Sequence, residues 1–403
     1  MNVLMLSPGF PDEMPRFTEG LAAAGARVIG VGEQPESILP PRARRAMDIY
    51  VQVRSLWDTV AVIREVRGRR LRIDRVECLW EPGVMLAAEL REALGVAGMS
   101  VAHSRLFRDK EAMKQRLDRH GIRTPHHRRA ASETEIRRAA GELGYPLILK
   151  PIAGAGSADT HRLDDAADLE RVLPLVRHVS ELSVEEFIDG EEFTFDTICA
   201  GGKILYHNVA WYRPRPLIGR TVEWISPQTV GLRDPDTPEV AAGARMGREV
   251  LRALDFETGF THMEWFLKDD GEAVFGEIAC RPPGARSVEL MNFCGDFSAY
   301  HAWAEAVCTG RVGRGAERRY NSAVIFKRAR GDGRIRRIAG LERLIARYRR
   351  EIVCVDLLPV GAPRRNWKQT LISDGYVIVR HPELQATLEI ADRIGTDLQL
   401  FAE

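Results

Sequence analysis

The sequence predicts a mixed fold, α/β at its start and α+β beyond, and three patterns carry that prediction. Residues 1 to about 100 alternate strand and helix patterns, a βαβ rhythm that argues for a small parallel sheet with helices on its faces. Residues 193–209 and 262–279 each read as a hairpin, with period-two runs around Gly201-Gly202 and around Lys268-Asp-Asp-Gly271. Upstream of both, Tyr145-Pro-Leu-Ile-Leu-Lys150 reads as a short buried strand running into a loop with Gly154, Ala155, Gly156 and Ser157.

The elements follow in order. Val3-Leu-Met-Leu6 is a strand, 13–24 a helix, and Arg27-Val-Ile-Gly-Val31 a second strand. A helix near 57–67, the strand Val76-Glu-Cys-Leu-Trp80 and a helix near 84–94 complete the first domain. Glu81 then sits at the carboxyl end of a strand, where open α/β sheets bind ligands; the alternative is a solvated turn. Asp109 caps a helix that begins at Lys110 and stops at Gly121. Ser132-Glu-Thr-Glu135 is a capping box, and Asp164 or Asp165 caps a helix over 166–178. A short strand and turn around Glu185, Glu186, Phe187 and Ile188 lead into the first hairpin, and a helix over 238–254 leads into the second. Residues 311–350 hold 13 Arg, read as the solvated face of a small C-terminal part, with anion binding or a subunit contact as the alternative.

Composition narrows the class. At 403 residues the chain can form two to four lobes, and 45% apolar with 29% charged residues is the balance of a soluble globular protein. A net charge of +1 gives no field favouring nucleic acid or membrane, and no apolar run approaches a membrane span. The first residues carry no basic leader, and six scattered cysteines read as buried thiols, so a reducing cytoplasm is expected. Against 51 Arg there are only 7 Lys, which draws attention to each place where a compact ammonium is kept.

Two such places carry chemistry. A buried strand ending on Lys150 must give the ammonium an anionic partner, and the glycines that follow let backbone N–H groups converge on one point, which suits phosphate oxygens. Lys110 lies in the first turn of its helix, where a cation opposes the helix dipole unless an anion is near. In the second hairpin, alternation sends His262, Glu264 and Phe266 to one face, and Glu277, Ala279 and Arg281 to the matching face of the partner strand. Two glutamates on adjacent strands repel unless protonated or bridged by a cation, and magnesium with phosphate oxygens fits that pair. A wet face with two exposed carboxylates is the alternative.

In this order and spacing, Lys110, Gly144-Tyr-Pro-x-Ile-x-Lys150-Pro, Val184-Glu185-Glu186-Phe187-Ile188-x-Gly190-x-Glu192, Glu264 and Glu277-x-x-x-Arg281 resemble the ATP-grasp superfamily over residues 100–295. The resemblance implies a Rossmann-like N-terminal domain (1–100), two α+β ATP-grasp subdomains (101–185 and 186–315) and a small C-terminal part (316–403). It implies that Lys110 and Lys150 hold ATP phosphates and that the backbone over 154–157 closes as a lid. The main chain of Glu186 and Ile188, with Phe187 between them and Glu185 beside them, would read adenine, and Glu192 would bind ribose. Glu264 and Glu277 would hold magnesium, with manganese as the other candidate ion, and Arg281 would steady the transferred phosphoryl group. Many members carry Asn where this chain has Ala279, so one ligand of a second metal is missing unless a neighbour such as Asn292 substitutes. Some carry Arg where His262 stands, and His262 is a candidate acid, base or oxyanion donor.

The activity so implied is an ATP- and magnesium-dependent carboxylate–amine ligase working through an acyl phosphate. A carboxylase or purine-pathway enzyme using carboxyphosphate and a nucleotide-binding scaffold without turnover are the alternatives. Expected partners are small-molecule carboxylate and amine substrates and a second copy of the chain, with no nucleic acid or membrane. Glu81, His207, Trp211, Tyr212, Arg213, Arg215 and Arg286 are candidates for choosing the substrate.

Overall fold

Val3, Leu4, Met5 and Leu6 are fully buried, so the strand Asn2–Leu6 takes the inside of its sheet, where both faces are covered. In the computed structural model, which describes residues 1–152, 159–313, 317–370 and 372–403, this strand lies between Arg27–Gly32 and Arg75–Glu77. Ile49–Gln52 completes a four-stranded, wholly parallel sheet. Helices Met14–Ala23, Thr59–Gly68 and Val84–Leu94 stand close to their predicted limits. Arg75–Glu77 is shorter than the predicted Val76–Trp80, because the chain leaves the sheet and turns at Glu81–Gly83. That early exit puts Trp80 and Glu81 on the sheet's rim.

The next sheet is antiparallel, in the order His127–Ala130, Leu182–Glu186, Leu147–Pro151, His161–Leu163. Its helices begin where the caps predicted: Asp109 accepts from the Glu111 and Ala112 N–H groups, Ser132 from Glu135, and Asp165 from Asp168. The last of these helices, Ala166–Val172, stops short of the predicted 178 because Pro174 follows in a tighter 3-10 turn. Ile136, Leu147, Leu149, Leu163 and Val184 close this subdomain's own core.

Both predicted hairpins sit in a third sheet of eight antiparallel strands. Asn321–Phe326, Gly375–His381 and Ile352–Leu357 extend that sheet, so strands on either side of residue 315 share one set of hydrogen bonds. The arginine-rich segment is less solvated than its composition suggests. Arg318 donates to the His207 carbonyl, and Arg328 donates to the carbonyls of Gly219 and Val222.

Helix Ala241–Ala253 packs on the sheet through a glycine: a Cβ on Gly243 would lie 2.1 Å from the ring of the fully buried Trp265. Gly243→Ala therefore forces the helix off the sheet, and we expect it to destabilise the fold by about 1–3 kcal/mol, read as a lower urea midpoint. An unchanged midpoint would mean that this contact is looser than described.

Candidate functional site

One cleft of about 490 Å³ collects side chains from the three sheets just described and the segments around them, among them Lys110, Lys150, Glu185, Glu192, Glu264, Glu277, Arg281 and Glu81. Glu264 and Glu277 are direct cross-strand partners. Simple alternation alone does not produce that pairing. The register slips by one residue at Gly276, whose missing side chain leaves room for the Glu264 carbonyl; a Cβ there would lie 2.8 Å from that oxygen. Trp265 and Ile278 point to the other side and join the main core, as alternation requires.

The ammonium groups meet carboxylates. Lys110 Nζ lies 3.1 Å from Glu277 Oε2, and Lys150 Nζ lies 3.0 Å from Glu185 Oε2. Glu185 is also gripped by Lys114, a fully buried lysine one helical turn beyond Lys110. Burial disfavours the Lys150 ammonium, but Glu185 and Glu277 more than offset it, so its pKa rises above the ordinary lysine value. At Lys114 burial outweighs Glu185 and Glu111, and the pKa comes down to about 8. Burial would push Glu277 up, yet Lys110 and Lys150 hold it down at about 2. Glu192 goes the other way: burial, then the neighbouring Glu264, push it up to about 8.

His262 is held from both sides. Its Nδ1 lies 2.6 Å from Asp196 Oδ1, and its Nε2 lies 3.5 Å from Glu264 Oε1. Asp196 is itself fixed by Thr194 Oγ1 at 2.8 Å and Asn208 Nδ2 at 3.3 Å. Burial disfavours the imidazolium, but Asp196 and Glu264 outweigh it and raise the pKa to about 9. Arg281 donates from Nε to Glu81 Oε2 at 2.6 Å, and Arg108 pairs with the other Glu81 oxygen. Glu81 is thus a half-hidden bridge between two guanidinium groups, and the solvated-turn alternative does not hold.

Around the predicted adenine segment, Phe187 lies between Arg162 and Arg215, whose guanidinium carbons stand 4.1 and 4.8 Å from its ring centre. The Glu186 carboxylate takes Arg123, and its N–H donates to the His126 carbonyl. The Ile188 carbonyl accepts from Arg215, while its N–H has no partner among the described residues. Gly154, Ala155, Gly156 and Ser157, the expected lid, lie outside the described residues.

Three substrate candidates stand elsewhere. His207 shares its strand with Tyr212, but the odd spacing turns it to the opposite face, against Asp236 and the ring of Phe195. Arg213 turns away likewise, binding Asp392 and Gln228. Arg286 is at the margin, over the Tyr376 ring and beside Glu289. Tyr212 does reach the cleft, with its hydroxyl 3.3 Å from Glu264 Oε1. Lys114, Asp196 and Arg108 belong to the site without having been foreseen. Lys114 alone had a signal, its i+4 spacing from Lys110.

Two facing carboxylates, with cationic groups set to meet phosphate, fit a hard divalent ion that completes its shell with phosphate and water oxygens. Among the described residues no group of three His, Cys, Asp or Glu side chains forms a cation site by itself, so ligands from bound substrate are needed. Ala279 offers none, and Asn292 is spent capping the Ala299 N–H.

Residues 107–210 match the family described as an ATP-grasp domain. An ATP-grasp domain thus lies over that segment, and the architecture of the described residues is the ATP-grasp fold. Among solved structures it is similar to an L-amino acid ligase from Bacillus licheniformis, with TM-score 0.80 and 20% identity, covering 100% of this chain and 98% of that one. N5-carboxyaminoimidazole ribonucleotide synthetase from Thermotoga maritima follows at TM-score 0.70 and 18% identity, covering 100% and 99%. In sequence it is 28% identical over 218 residues to the L-arginine-specific L-amino acid ligase of Bacillus subtilis, covering 52% of each chain. It is 36% identical over 108 residues to D-alanine–D-alanine ligase of Pseudomonas putida (strain GB-1), covering 26% of this chain and 34% of that one. The matches thus span about half, or about a third, of these curated relatives. No helix among the described residues is long and apolar enough to cross a membrane.

Proposed function

We propose that this chain is an ATP- and magnesium-dependent carboxylate–amine ligase that forms an amide bond through an acyl phosphate and releases ADP and phosphate. The convergence of Lys110, Lys150, Glu264 and Glu277 on one cleft, beside the Glu81–Arg281 pair, carries the proposal. Similarity to amino acid ligases in both sequence and fold supports it.

In this reading Lys110 and Lys150 exchange their carboxylate partners for phosphate oxygens. The Ile188 N–H and the Glu186 main chain meet adenine beside Phe187, and Glu192 meets ribose. Glu264 and Glu277 hold the divalent ion, magnesium or manganese, which supplies charge neutralisation at the phosphates. Phosphoryl transfer to a carboxylate needs mainly alignment and charge, and Arg281, braced by Glu81, is set to steady the moving group. The amine then attacks the acyl carbon, the C–O bond to phosphate breaks, and the amine's proton passes to the departing phosphate or to water. His262, with Nδ1 committed to Asp196 and Nε2 turned inward, suits hydrogen-bond donation better than proton abstraction. Small-molecule carboxylate and amine substrates, a cytoplasmic location, a homodimer and domain limits near residues 100, 185 and 315 complete the proposal.

Purified protein with ATP, magnesium and an amino-acid panel should form ADP only when a carboxylate and an amine are both present. ADP formation that depends on bicarbonate would move the chain to the carboxylase reading, and tight ATP binding without ADP would make it a scaffold. Glu81→Gln should raise the KM for the acid about tenfold or more and leave nucleotide affinity alone. A loss of ATP binding instead would detach Glu81 from the acid.

A further inference from the structure

We infer that the acid activated here carries a large apolar side chain, aromatic above all, seated against a wall built on Trp80. The inference rests on the ligase reading and names its substrate class. Trp80 immediately precedes Glu81, the residue that braces Arg281, and lines the same cleft as both. Pro11, Met14, Leu79 and Pro82 line the cleft too and bring no charge.

The ring is fixed in place. Trp57 and Phe10 meet it edge to face, with centroids at 5.7 and 6.3 Å. Behind it lies Gly83, where an added Cβ would approach the indole to 3.1 Å. A braced indole is an anchor that needs little ordering when a ligand arrives. Trp57 and Phe10, which pack on the Trp80 ring, are themselves 70% and 53% exposed, an unusual grouping of large rings left in water. Pro283 and Gly284 also line the cleft and add no charge.

A cationic side chain is the competing occupant, since Glu13 also lines the cleft. Burial raises the Glu13 pKa, however, and the Arg286 charge already acts on its carboxylate. It is therefore a poor partner for a second cation.

The test measures ADP release with one fixed amine and a panel of acids: phenylalanine, tryptophan, leucine, glycine, alanine and arginine. We expect kcat/KM for the large apolar acids to exceed that for glycine, alanine and arginine by about tenfold or more. Trp80→Ala should collapse that ratio by a similar factor. Trp57→Ala, at an exposed position that the fold does not need, should lower it by a smaller one. A preference for small or cationic acids, or a ratio unmoved in both variants, overturns the inference and leaves the ligase reading standing. No ADP with any acid–amine pair, from protein that still binds nucleotide, overturns both.

Discussion

Lys150→Met should cut ADP formation by about 10²–10³-fold, the usual loss when one preorganised charge is removed from a transition state, with the fold intact. The second half of that expectation comes from the geometry around Glu185. Removing one member of a buried ion pair normally leaves an uncompensated charge, at about 3–5 kcal/mol. Here the carboxylate lost to Lys150 stays in the grip of Lys114, which is fully buried against it. Thermal melting should therefore shift little in Lys150→Met and far more in Lys114→Met, where the deepest contact goes. Turnover at the wild-type rate in Lys150→Met would remove that residue from the phosphates. A melt that collapses would instead show Lys150 to be part of the scaffold.

The contrast between these two lysines shows what the sequence can reveal and what it cannot. Lys150 was legible because strand pattern, charge and glycine loop are neighbours in the chain, and each is a local signal. Lys114 was in view only as one more polar residue of a helix, since its partner Glu185 is 71 residues away. Glu81 and Arg281 are 200 residues apart, so no spacing rule could pair them, although each was suspected separately. Period two also worked within limits. It placed Glu264 and Glu277 on facing strands and Trp265 behind them, but it carries no information about the slipped register at Gly276. Applied to Lys203–Arg213 it would have separated Tyr212 from His207 and Arg213, had the inward face of that strand been known. That face is set by how the strand docks between Glu191–Ala200 and Gln228–Gly231 and by what packs over the sheet, which its own alternation does not reveal. The aromatic cluster escaped notice for a related reason, because Phe10, Trp57 and Trp80 leave three different loops and meet only in the folded chain.

Glu277→Gln is the sharper test of the metal assignment, because the amide keeps the shape of the side chain and removes only its charge. If Glu277 shares a divalent ion with Glu264, the magnesium concentration for half-maximal ADP formation should rise at least about tenfold and kcat should fall about 10²–10³-fold. The titration of Glu277 itself should add no pH dependence between 5 and 9. Lys110 and Lys150 hold the wild-type carboxylate at about 2 against a usual value of 4.5, so it stays ionised throughout that range. The sign of the accompanying stability change follows from the same depression. A lowered pKa in the folded chain contributes stability that is complete above the unfolded value and disappears as pH falls through the folded one. In metal-free protein, wild type should therefore exceed Glu277→Gln in stability by a constant margin above about pH 4.5, and the margin should shrink as the pH falls towards 2. A margin that instead grew on acidification would mean that the two lysines do not hold this carboxylate. Unchanged magnesium dependence would take the ion away from Glu277 even if turnover fell.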